Sequence, residues 1–115
     1  MVQTTSKTSG QTRDDKFIEF VRVLRAHGRI DMLLQVGDVD AAAEKHSRGD
    51  LEITNDRIIW WKNHQFHRVS GPAVIYADGT QWWYRYGKLH RFDGPAIIRA
   101  DGTREWWEDG KRIDD

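Results

Sequence analysis

Apolar residues follow one rhythm in the first part of this chain and another in the rest. From Arg13 to about Ser47 the spacing is helical: Phe17, Phe20, Val21 and Leu24 fall at i, i+3, i+4 and i+7, with Glu19, Arg22 and Arg25 on the opposite arc. Thr12 with Asp15 forms an imperfect capping box at the start, and Gly28 is the expected stop. A second short helix fits Ile30 to Val36 through Ile30, Leu33 and Leu34, ending at Gly37. A third follows an Asp38 cap, with Val39, Ala42, Ala43 and His46 on one side. Residues 1–12 hold a single apolar residue after Met1 and are expected to form a disordered tail. From Asp50 onward, short apolar runs alternate with aromatic runs and turn residues, which is a strand pattern.

The strand region repeats. His67-Arg68-Val69-Ser70-Gly71-Pro72-Ala73 returns 23 residues on as His90-Arg91-Phe92-Asp93-Gly94-Pro95-Ala96, and Asp78-Gly79-Thr80 returns as Asp101-Gly102-Thr103. In the same register Trp60 becomes Trp83 and Trp106, Trp61 becomes Tyr84 and Trp107, and Gly87-Lys88 becomes Gly110-Lys111. A fixed period across so many positions marks a repeat architecture of three copies, the first degenerate at Asn55-Asp56 and the last cut off after Ile113. The chain is therefore read as α+β: a tail over 1–12, a helical segment over 13–48 that packs on or caps the sheet, and a β-hairpin repeat region over 49–115.

Each copy reads as an antiparallel hairpin turning at Asn55-Asp56, Asp78-Gly79 or Asp101-Gly102, followed by a second turn at Gly-Lys. If these are two-residue turns, Leu51 meets Trp60, Val74 meets Trp83 and Ile97 meets Trp106, while Trp83 meets Phe92 and Trp60 meets Val69 on the other side. That makes the Trp60, Trp83 and Trp106 column the core face. Alternation then puts Ala73 beside Tyr84, Ala96 beside Trp107, Arg68 beside Trp61 and Arg91 beside Tyr84 on the second face. The expected binding residues are those of this second face, Trp61, Arg68, Trp82, Tyr84, Arg91 and Trp107, because a core column needs only one Trp per copy. Aromatic rings flanked by guanidinium groups can stack on flat ligands or anchor a partner. The same pairs also serve as ordinary cross-strand shielding.

The period, the Trp-Tyr-x-x-Gly-Lys-x-His step from Trp83 to His90 and the following Asp-Gly resemble the MORN repeat, a stack of antiparallel hairpins. The His-Arg-x-Asp-Gly-Pro-Ala form at His90 to Ala96 is similar to tandem repeats in small phage-encoded and bacterial proteins. The resemblance covers about residues 50–113 and implies three stacked hairpin repeats acting as a binding or scaffolding module, with no catalytic residues. Where the eukaryotic repeat has Gly after the His, this chain has Arg68 and Arg91, which weighs against the lipid binding proposed for some members.

Composition narrows the function classes. With 115 residues, six tryptophans and no cysteine, the chain supports one small core without disulfides or a thiolate zinc site. Its 18 basic and 18 acidic residues balance to zero, which disfavours a grip on long nucleic acid through counterion release. No apolar run reaches the length of a membrane span and no signal-peptide core opens the sequence, so a cytoplasmic location is expected. His67 and His90 occupy one repeat position, which suits a packing or turn role better than a metal site, and Ser70 stands where Asp93 does, so no acid/base pair recurs. No phosphate loop, nucleophile elbow or His-Glu-x-x-His run is present, and neither a catalytic residue nor a cofactor or metal is implied.

Two functions remain. The leading one is a non-enzymatic interaction protein with a protein partner; in the sharper form drawn from the phage-like resemblance, it inhibits a host or defence complex. The alternative is a nucleotide-type small-ligand binder or sponge, holding a ring between aromatic side chains with Arg on the phosphate. The Phe17 stripe either caps the first hairpin or makes a homodimer surface, and capping is favoured because the first strand needs a covered edge.

Overall fold

The structure, a computed structural model, describes residues 13–36 and 51–113. The expected tail and the third helix after Asp38 lie outside the described residues. Helix α1 (Arg13–Ala26) is followed by a 3-10 turn at Ile30–Met32 and a single helical turn, α2 (Leu33–Val36). Gly28 stops α1 as expected: at φ +70° it donates its N–H to the Arg25 carbonyl (2.9 Å), and Arg29 N–H reaches the Leu24 carbonyl (3.0 Å). This pair of bonds satisfies carbonyls that the helix end would otherwise leave open.

The rest is antiparallel β structure, so the α+β class holds. The strands are β1 (Leu51–Ile53), β2 (Arg57–Lys62), β3 (Gln65–Phe66), β4 (Val74–Tyr76), β5 (Gln81–Trp82), β6 (Tyr84–Arg85), β7 (Lys88–Leu89), β8 (Ile97–Ile98), β9 (Arg104–Glu105), β10 (Trp107–Glu108) and β11 (Lys111–Arg112). One 7-stranded sheet runs β1-β2-β4-β5-β8-β9 with β3 on β2, while β6-β7 and β10-β11 form separate two-stranded ribbons.

Turn chemistry sets the register, and it corrects the expected pairing. Asn55-Asp56 is a two-residue turn, and Leu51 does face Trp60. At Asp78-Gly79, however, Tyr76 N–H bonds to the Thr80 carbonyl (2.9 Å), closing a three-residue loop that includes Ala77 and places Gly79 at φ +98°. Such loops end in a left-handed residue that suits glycine. Val74 therefore faces Trp82, not Trp83, and by the same geometry at Asp101-Gly102 Ile97 faces Glu105, not Trp106. The second turns also sit one residue earlier than expected. They are Tyr86-Gly87 (φ 50° and 81°) and Asp109-Gly110 (φ 48° and 81°), matched by Asn63-His64 (φ 51° and 65°). Trp83 consequently meets His90 rather than Phe92, and Trp60 meets His67 rather than Val69; in each case the His N–H donates to the Trp carbonyl at 3.1 Å.

The one-residue slip at the Asp-Gly loops exchanges the faces of the sheet, whereas the earlier second turns shift the pairing by two residues and keep them. The helices pack on the face of Trp60. Phe20, Leu24, Met32 and Val36 meet Leu51, Ile53, Ile58, Trp60, Ile75 and Ala77 in one buried cluster, with Phe17, Val23 and Leu33 around it. Buried Gln81 donates to the Met32 sulfur (3.6 Å), which ties the 3-10 turn to β5. The Arg29 guanidinium lies over Gly79, where a Cβ would collide with it.

Among the described residues helical cover ends there, and with it the expected burial order. Trp60 is 9% exposed, Trp83 is half-buried and Trp106 is 38% exposed, whereas Trp107 is half-buried. Trp106 is thus the more open of the last pair, contrary to expectation, because α1 and α2 pack over the start of the sheet. Trp60→Ala should cost about 3–5 kcal/mol in urea melts, as large aromatic deletions from cores do, while Trp106→Ala should cost less than about half of that.

Candidate binding surfaces

The His-Arg step builds one local structure twice. Arg68 lies over the Trp60 ring with its Cζ 3.9 Å from the ring centroid, and Arg91 lies over Trp83 at 4.0 Å. Each guanidinium donates through Nη1 to the carbonyl of the following proline, Arg68 to Pro72 (3.2 Å) and Arg91 to Pro95 (3.1 Å). Gly71 and Gly94 lie against these groups: a Cβ on Gly71 would stand 3.2 Å from the Arg68 Cζ, and one on Gly94 would stand 2.8 Å from the Arg91 Cζ. The histidine just before each Arg serves the next turn. Nδ1 of His67 accepts the Tyr86 N–H (2.9 Å), and Nδ1 of His90 accepts the Asp109 N–H (3.0 Å). These bonds account for the recurrence of His and Arg in the sequence.

The two copies differ in cover. Arg68 also donates through Nη2 to the carbonyl of Val36 at the end of α2 (3.2 Å). Burial pushes its pKa down to about 10, which leaves it cationic at neutral pH. Arg91 instead pairs through Nε with exposed Asp93 (3.2 Å).

The six expected binding residues divide between the two faces. Trp61, Trp82 and Tyr84 share one face, joined by two rings not anticipated there. Trp61 contacts Phe66 (4.6 Å between centroids), Phe66 contacts Tyr84 (5.1 Å), Tyr84 contacts Trp82 (6.2 Å) and Trp82 contacts Tyr76 (6.0 Å). Trp107 continues this face and donates its indole N–H to Glu105 (2.9 Å). Arg68 and Arg91 are not beside Trp61 and Tyr84. They sit on the opposite, helix-bearing face, because Trp60 and Trp61 are successive residues of β2 and point opposite ways. All four expected rings are half-buried, and buried Ile59, Val74 and Ile97 lie on their face, so these rings act largely as a second, thinner core.

The open surface lies on the other side. A polar cavity of about 270 Å³ between the two His-Arg steps is lined by Arg68, Trp83, Arg85, His90, Arg91 and Phe92, among others. Phe92 is 89% exposed and Val69 69%, and both border this cavity. A shallower hollow of about 460 Å³ on the aromatic face lies by Tyr76, Trp82 and Arg99. The sequence did carry a signal for Phe92 and Val69: two bulky apolar residues at one repeat position, each next to an Arg. Among the described residues no three His, Asp or Glu side chains group to hold a metal, and no helix is long and apolar enough to cross a membrane. Comparison with protein-family models, with curated proteins and with solved structures finds no match to this chain.

His67 makes its acceptor role testable. Burial, with Lys62 and Arg85 nearby, holds its pKa below the usual histidine value. The unfolded chain then binds the extra proton more readily, so stability is complete above pH ~6.5 and falls as the pH drops through the folded value. Equilibrium urea melts from pH 7.5 to 5 should show this loss, and His67→Gln, less stable at pH 7.5, should show a flatter acid limb.

Proposed function

We propose that this protein is a non-enzymatic interaction module that binds another protein through the part of the helix-bearing face left uncovered by α1 and α2. The observation that carries this reading is the exposure of Phe92 and Val69 beside Arg91, with exposed Trp106 further along a face whose earlier part is sealed by the protein's own helices. Aromatic and Arg side chains are the typical anchors of protein interfaces, and a bared patch of this kind on a small protein marks an interaction surface. The recurring hairpin contacts make a rigid plate, so little ordering is needed on association. The MORN-type resemblance over residues 50–113, read as three stacked hairpin units, points the same way.

A nucleotide-type ligand is the second reading, favoured by the cavity that places Arg85 and Arg91 around the Trp83 indole. The protein reading is preferred because the guanidinium groups are partly committed, Arg68 to two carbonyls and Arg91 to Pro95 and Asp93. A partner captured by the wild-type chain should bind Phe92→Ala and Trp106→Ala at least about tenfold more weakly, and Tyr84→Ala nearly as well as wild type. Thermal shift against a panel of nucleoside mono-, di- and triphosphates should leave the melting temperature unchanged. If Tyr84→Ala alone loses the partner, the site belongs on the aromatic face.

A further inference from the structure

The contact that fastens the protein's own helical segment has a second copy with nothing described upon it. At the first step, Arg68 is stacked on Trp60, its Nη1 is fixed to the Pro72 carbonyl, and its Nη2 takes the last described carbonyl of α2, that of Val36. A helix end leaves such carbonyls without intrahelical partners, so a fixed guanidinium is a suitable receptor for one. At the second step, Arg91 is stacked on Trp83 and its Nη1 is fixed to Pro95 at nearly the same distances, while its Nε pairs with exposed Asp93 (3.2 Å). The guanidinium is planar with donors in a rigid fork, so fixing the stack and Nη1 also fixes the direction of Nη2. No acceptor for Arg91 Nη2 is present among the described residues.

We propose that the Trp83–Arg91 step receives the C-terminal turn of an amphipathic helix from a partner protein, in the way the Trp60–Arg68 step receives α2. This rests on the interaction reading above and names the kind of partner. The site is continuous with the existing helix–sheet interface, since Gln35 of α2 borders the same cavity. Phe92 and Val69 supply apolar surface for the helix's buried side, while Arg85 and His90 add donors beside the cavity for its negative end. A second copy of this chain does not supply the end from α2, because Val36 is already held by Arg68 of its own chain.

The test uses the full chain and, as probe, a synthetic amidated peptide of its own residues 13–36, followed by NMR of the tryptophan indole N–H signals. Saturable perturbation of Trp83 and Trp106 is expected. Arg91→Gln should weaken it about tenfold or more, and Arg91→Lys should not rescue it, because an ammonium group lacks the fork. Tyr84→Ala should bind like wild type. If Arg91→Gln loses its cooperative melt, Gly94→Ala, whose Cβ would press on the Arg91 guanidinium, supplies the second variant.

Perturbation confined to Trp60, which would mean exchange with the internal helix, overturns the inference, as does perturbation confined to Trp61 and Trp82. So do peptide binding that survives Arg91→Gln, no saturable binding at all, and self-association of the chain lost in Arg91→Gln without any response to the peptide. If a captured partner needs Phe92 and Trp106 while Arg91→Gln leaves both partner and peptide binding intact, the interaction face stands and the helix-end assignment falls.

Discussion

A guanidinium held flat against an indole is the contact around which this protein is arranged. In water such a pair contributes about 1 kcal/mol, and about 2 kcal/mol where it is desolvated, as Arg68 is over Trp60. The larger effect is geometric. The stack fixes the Arg, the Arg fixes the Pro72 carbonyl, and Gly71 lets the backbone pass where a Cβ would crowd the guanidinium at 3.2 Å. The neighbouring histidine then anchors the next hairpin by accepting the N–H of its left-handed turn residue. Indole, guanidinium, glycine, proline and imidazole form one linked set, which explains why they return together 23 residues later rather than one by one.

This set also divides the sheet's labour. On its side, Trp60 and Trp83 are platforms for Arg, and the tryptophans grow more open along the sheet from Trp60, which α1 and α2 cover, to Trp106. On the other side, the chain of rings from Trp61 to Tyr76 lies on the same face as Ile59, Val74 and Ile97, making a thin core over which none of the described helices packs. The far edge carries charge instead of cover: Glu105 on β9 pairs with Arg99 (2.6 Å) and lies 3.8 Å from Arg112. Charged edge strands resist pairing with further sheets, and the exposed apolar patch around Phe92 lies away from this edge strand, on the open part of the helix-bearing face.

Much of this could be read from residue order. Hydrophobic spacing placed α1 and its glycine stop, and the turn dipeptides placed the hairpins. The pairing of Leu51 with Trp60 followed from Asn55-Asp56 alone, because a two-residue turn leaves no freedom of register. These are local matters, decided by neighbours along the chain.

The division of side chains between the faces was not local. Whether the Asp-Gly loops hold two residues or three depends on backbone angles at Gly79 and Gly102. Whether the second turns begin at Tyr86 or Gly87 depends on Tyr86 and Asp109 accepting left-handed conformations held by histidines 19 residues away. In a structure of period two, the extra residue in the Asp-Gly loops shifts the pairing by one and exchanges the faces, whereas the earlier second turns shift it by two and keep them. Arg68 and Arg91 reach the faces of Trp60 and Trp83 because they follow the short strands, outside any ladder, and fold back over the rings. How far the helices reach is likewise a property of packed volume, with no trace in the repeat itself. The sequence alone therefore determined the elements and their period, because those are written in neighbouring residues. Tertiary structure decided which tryptophans are covered and which arginine keeps a donor without a partner among the described residues, because that depends on where α1 and α2 pack over the sheet.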